Sequence, residues 1–143
     1  MLRTAGGVIV GYVVMFFVVF VLFTIAYLSM GTERAFRPGS FDVSALWLGT
    51  SIVVGFAAAL VGGLISVKVG GTQAGMILAG LVLVLGIVMA FPTLNEAEKN
   101  TGERSGDHSN FEAMEQANQP SWIAFLNPVI GAVGVWVGAK RRG

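Results

Sequence analysis

The chain has 143 residues, of which 55% are hydrophobic and 12% charged, with a formal net charge of +1 and a mean hydropathy of +0.76, well outside soluble composition. Zero cysteines exclude disulfides, a thiol relay and a thiolate metal site. The one histidine, His108, falls in a polar stretch, which excludes a b-type haem held by histidines on membrane-spanning helices; no cofactor and no nucleic-acid partner are expected.

A spanning helix needs roughly 20 apolar residues to cross about 30 Å of hydrocarbon. Four uncharged runs meet that need, residues 8–30, 43–67, 74–91 and 122–139. Stretches such as VVMFFVVFVLF are apolar on every face and lack the alternation of barrel strands, so helices are expected. The predicted fold is an all-α integral membrane protein: one compact four-helix bundle over residues 1–143, with extracytoplasmic loops at 31–42 and 92–121.

The first run follows Arg3, exceeds a signal-peptide core in length and has no A-x-A site behind it, so it reads as an uncleaved span. Gly7 and Gly11, in the first helix, are four apart. The first loop, GTERAFRPGSFDVSALW, places Arg34 and Arg37 three apart, where both reach lipid headgroups, while Phe36 and Phe41 dip into the interface. Its RPGS is a type II turn, with Pro38 fixing φ and Gly39 supplying a positive φ. Trp47 and Trp122 stand at the outer edge as an aromatic belt.

The second span carries Gly55, Ala59 and Gly63 at four-residue spacing, and GFAAALVGG marks it as the central packing element. Thr50, Ser51 and Ser66 are hydroxyls able to bond their own helix. In the third span Gly75 and Ala79, then Gly86 and Ala90, repeat the spacing. Small residues four apart form a groove that lets backbones approach, which replaces the hydrophobic drive that lipid lacks.

The third loop is acidic, with six carboxylates against Lys99 and Arg104. Ser109 and Glu112 match a capping box, and Phe111, Met114 and Ala117 share a face, predicting a short interfacial helix over residues 109–118. His108 beside Asp107 and Ser109 has no held geometry with an oxyanion site, so neither catalysis nor metal binding is expected there.

The fourth span, WIAFLNPVIGAVGVWVGAK, interrupts its apolar run with Asn127 and Pro128. Pro128 cannot donate to the Ala124 carbonyl and kinks the helix; Asn127 bonds a neighbouring helix or that freed carbonyl, or lines a small outward-facing pocket. Paired Asn-Pro-Ala boxes of the water-channel kind need a second copy, and only one Asn-Pro is present. Gly134 and Gly138 continue the small-residue pattern. The two halves share a faint parallel-repeat signal, VVGFAAALVGG against VIGAVGVWVGA.

Four crossings put Arg3, Lys68, Lys140, Arg141 and Arg142 on one side, and Arg34, Arg37, Lys99, Arg104 and all eight acids on the other. Five basic residues in short segments against four set both ends of the chain on the cytoplasmic side of a bacterial inner membrane. No ionisable residue lies within a span, which argues against proton-coupled transport. The expected function is therefore a non-catalytic structural or accessory protein that packs with itself or with a larger membrane complex, in contact with membrane lipids. The alternative is an oligomeric channel or small-solute carrier whose polar path runs near Asn127, Thr50 and Ser51.

Overall fold

The computed structural model describes residues 1–96 and 119–141. The helix expected over residues 109–118, and His108 with it, lie outside the described residues. Four helices are long and apolar enough to cross a membrane: α1 (Leu2–Met30), α3 (Ala45–Gly70), α4 (Thr72–Ala90) and α6 (Ser121–Lys140). Two one-turn helices, α2 (Thr32–Ala35) and α5 (Thr93–Glu96), follow α1 and α4. No strand occurs among the described residues, only one isolated antiparallel bridge, Phe36 with Val43.

The helices outrun the apolar runs that announce them. α1 begins at Leu2 and takes in Arg3, α3 continues through Lys68 to Gly70, and α6 ends on Lys140. At the C-terminal ends of α3 and α6 the dipole favours the cations Lys68 and Lys140, and each long side chain can carry its charge clear of the apolar run.

Each helix stops for a local reason. Gly31 takes φ 76°, a left-handed conformation that a side chain disfavours, and its N–H returns to the Tyr27 carbonyl at 2.8 Å. Ser44 caps α3: its hydroxyl accepts the Trp47 amide at 3.1 Å. α3 turns into α4 through the single residue Gly71, at φ 82°.

α3 is the centre of the bundle, with α1 on one side and α6 on the other; α4 packs mainly against α6 and more lightly against α3 and α1. Gly7 of α1 meets the Cα of Gly70 and Gly75 of α4 meets Ala139 of α6, so Arg3, Lys68, Lys140 and Arg141 gather at one end, here called the basic end. There the Arg3 Nε donates to the Val69 carbonyl at 3.0 Å, and the Lys140 ammonium sits 5.1 Å from the centre of the Trp136 ring. Glu33, Arg34, Arg37 and Asp42, all exposed, mark the opposite end.

Two stripes of small residues on α3 make the close contacts. Toward α6, Gly63 lies against the Val135 carbonyl, Gly138 of α6 against the Leu60 carbonyl, and Gly134 with Ala59. Toward α1, Gly62, Ser66 and Gly70 face Gly7, Gly11 and Met15: a Cβ on Gly7 would come 2.5 Å from the Gly70 Cα, and one on Gly11 2.6 Å from the Ser66 Cβ. One expected position does not take part. Gly55 has nothing within 4 Å of a built Cβ, because Phe56 and Ala59 make the contact with α6 at this level. The Gly62, Ser66, Gly70 stripe supplies the second face instead.

Beyond the seams, α1, α2 and the start of α3 build a separate aromatic core. Tyr27, Ala35, Phe36, Phe41, Val43 and Trp47 are buried together, with Phe23 packed against them. Phe23 and Trp47 rings lie 5.5 Å apart, Tyr27 meets Trp47 edge-on at 6.1 Å, and Phe36 meets Phe41 edge-on at 5.9 Å. The connection is pinned by its backbone: the Ser44 amide donates to the Ala35 carbonyl and the Arg37 amide to the Asp42 carbonyl, each at 2.8 Å, and the Ser44 hydroxyl donates to the Arg34 carbonyl at 2.5 Å. Arg37 to Ser40 closes as the expected turn, with the Ser40 amide on the Arg37 carbonyl at 3.2 Å and Gly39 at φ 69°. Phe36, Phe41 and Trp47 therefore face one another and not a surrounding interface. Burying three rings together, with the backbone satisfied, is more favourable than splaying them outward. Of the expected aromatic belt, Trp122 alone is exposed, at 58%.

Candidate functional site

The polar groups that could line a path do not converge. The Thr50 hydroxyl donates to the Leu46 carbonyl and the Ser51 hydroxyl to the Leu48 carbonyl, both at 2.8 Å, so each is satisfied within α3. Neither belongs to the cavity that holds Asn127. α3 uses its neighbouring faces to pack α1 and α6.

Asn127 instead lines a groove of about 340 Å³ between α1, α4 and α6. α1 contributes Tyr12 and Met15; α4 contributes Val82, Leu85, Gly86, Met89 and Ala90; α5 adds Thr93; and α6 adds Ala124, Asn127 and Pro128. The groove exists because α4 leans on α6 at this level. Gly86 makes that possible: the Pro128 ring fills the space a side chain would need, with a built Cβ only 2.5 Å from the proline Cγ. Pro128 is buried, so the Asn-Pro pair has two separate duties, the proline as a packing knob and the asparagine as a groove wall.

The expected interhelical hydrogen bond from Asn127 is absent: no described residue bonds its half-buried amide. Pro128, lacking an N–H, leaves the Ala124 carbonyl without its helical donor, and Ala124 also faces the groove. Thr93 closes the upper part, its hydroxyl donating to the Ala90 carbonyl at 2.6 Å while its oxygen stays able to accept. The Tyr12 phenol, the Asn127 amide and the Thr93 hydroxyl are thus spread along an otherwise apolar trough. Such a set can orient a ligand by hydrogen bonds; it offers neither a nucleophile paired with a base nor a group of three His, Asp or Glu among the described residues to hold a metal ion.

Tyr12 was legible in the sequence as a polar group of the first span; Thr93 was not, because it follows Pro92 where the apolar run has ended. The signal that could have found it is geometric, since a one-turn helix after Pro92 brings it back over α4. Arg34 and Arg37 are exposed on the outer connection, away from the groove. Ser66 is the odd residue: fully buried at the α1 seam, its hydroxyl has no hydrogen-bond partner.

These features define a class, an all-helical bundle whose four long helices are each apolar enough to span a membrane. Compared with known protein families, with curated proteins and with solved structures, the chain matches none.

Proposed function

We propose that the chain is a small multi-pass protein of a bacterial inner membrane, with its basic end cytoplasmic, that serves a structural or accessory role by packing with itself or a larger membrane complex and has no catalytic activity. What carries the reading is the distribution of apolar surface. Phe16, Phe17, Val53, Val84, Val88 and Met89 are all at least 58% exposed, on the outside of three different helices, between two charged ends. In water such a surface would aggregate; in lipid it is solvated. Lys and Arg at the basic end, with no acid among them, fit the cytoplasmic side.

The accessory role is supported by the bonding of the polar groups. Thr50 and Ser51 are spent on their own helix, and glycine seams bring α3 against both neighbours at backbone distance, which speaks against a polar path along α3. The second reading, a channel or carrier, draws its support from the Asn127 groove. Flux in proteoliposomes separates the two: the accessory role predicts no protein-dependent leak of ions or small neutral solutes. A leak that falls at least fivefold in Asn127→Ala, with assembly intact, would establish the carrier instead.

Sidedness has its own test, helped by the absence of native cysteine. In whole cells an impermeant maleimide should label Asp42→Cys and not Arg141→Cys. The reverse pattern would invert the topology.

A further inference from the structure

We propose that the basic end binds anionic phospholipid: Arg3, Lys68 and Lys140 form a girdle at one level on α1, α3 and α6 that takes lipid phosphates from the side and prefers headgroups of net negative charge to zwitterionic ones. The proposal rests on the membrane reading above and is independent of the accessory role.

The shared level follows from contacts between the helices. Lys68 and Lys140 each directly follow an uncharged run, 43–67 and 122–139. Gly70 packs on Ala74 and Gly75 on Ala139, so the two runs end together. Arg3 joins them through the hydrogen bond from its Nε to the carbonyl of Val69, the residue after Lys68. Cations from distant parts of the chain are thus set around the bundle where its apolar surface stops.

Their charge is not met within the protein. Arg3, Lys68 and Lys140 are exposed, as is Arg141, and none has an ion pair among the described residues. The described acids, Glu33, Asp42 and Glu96, belong to the opposite end. There Glu33 and Asp42 offset the charge of Arg34 and Arg37, whereas the basic end keeps its own in full. The counter-charge comes from outside the chain.

Geometry selects a lipid over a soluble polyanion. The Lys140 ammonium does not project off the end: it lies 5.1 Å from the centre of the Trp136 ring, one turn back along α6. Trp136 is 51% exposed and shares its face with Val129 and Val133, part of the outward apolar surface. Lys140 is therefore held at the rim of that flank, which is open to lipid in the bilayer plane and not to a polyanion approaching along the bundle axis. A zwitterionic headgroup brings its own ammonium beside the phosphate, which the girdle repels; a net negative one does not. A basic side chain at an anionic surface gains roughly fivefold in occupancy, screened beyond a Debye length of about 8 Å at physiological salt.

The test is quenching of Trp136 by lipids brominated on the acyl chain, measured on the full chain in vesicles that mix phosphatidylglycerol with phosphatidylcholine. The Trp136 signal is the difference between the parent and Trp136→Phe, which leaves Trp47 and Trp122 in place. At equal amounts, brominated phosphatidylglycerol should occupy the Trp136 flank at least threefold more than brominated phosphatidylcholine. Lys140→Gln should bring the two to parity, and Lys140→Arg, which keeps the charge, should retain the preference. Native mass spectra from mixed micelles should show the same preference in the parent and none when Arg3→Gln, Lys68→Gln and Lys140→Gln are combined. A preference that the combined variant retains would overturn the girdle and leave the membrane reading standing. Equal occupancy by the two lipids in the parent would do the same, and would pass the counter-charge to an acidic segment of a partner protein. No quenching by either lipid would overturn the membrane reading and the girdle with it.

Discussion

The aromatic core around Trp47 and the seams along α3 hold the chain together by opposite means. The first gathers Tyr27, Phe36, Phe41 and Trp47, large side chains whose burial removes wide apolar area from water. The second excludes side chains: Gly7 against Gly70, Gly63 against the Val135 carbonyl, Gly138 against the Leu60 carbonyl. If the long helices are immersed in lipid, the contrast has one cause. Above the bilayer, burial from water drives association; within it, a leucine is as well solvated by lipid as by protein, and helices gain only from close dispersion contacts that glycine permits. On that condition the same chain changes its packing rule where its solvent changes.

That contrast can be broken at four places. The largest effect is expected at Gly63→Leu, where the added side chain meets backbone that cannot yield; the loss should reach or exceed about 3 kcal/mol, the upper end of overpacking costs. An SDS-titration of helicity in detergent should find the bundle dissociated, while Gly55→Leu, which points into open space, unfolds like the parent. Trp47→Ala should cost about 3 kcal/mol, but locally. Limited proteolysis would then cut between residues 31 and 44 with α3 and α6 still associated. Tyr27→Phe removes a 2.7 Å hydrogen bond between the Tyr27 and Thr32 hydroxyls and should lower stability by about 1 kcal/mol, visible as a small fall in melting temperature. Ser66→Ala is the smallest: the hydroxyl is buried without a partner, so its removal should be neutral or raise stability by up to about 1 kcal/mol in the same melt.

The four long helices were legible because hydropathy reports the solvent an element needs, and all four runs appear as helices with no end moved by more than six residues. The turn at Pro38 and Gly39 was legible because only a few residues satisfy its dihedral angles. What the sequence could not assign was facing. Spacing alone offers Gly55, Ala59 and Gly63 as one stripe, and equally Gly62, Ser66 and Gly70 as another, because any residue on a helix has a partner four positions on. Only the neighbours decide that Gly55 drops out. The same limit governs the polar residues. Asn127, Thr50 and Ser51 look alike as polar groups in apolar runs, but two satisfy their own helix and one faces a groove. Trp47 was misplaced for a further reason: a tryptophan near a span end is at home at a lipid interface, and here the Phe36 to Val43 bridge folds the connection over it.

Gentle extraction from the native membrane followed by native mass spectrometry tests the central claim most directly. The accessory role predicts recovery in a complex of fixed stoichiometry, with a larger membrane protein or with copies of itself, that passes no solutes in liposomes. Recovery as a partner-free homo-oligomer that passes solutes in liposomes would contradict it.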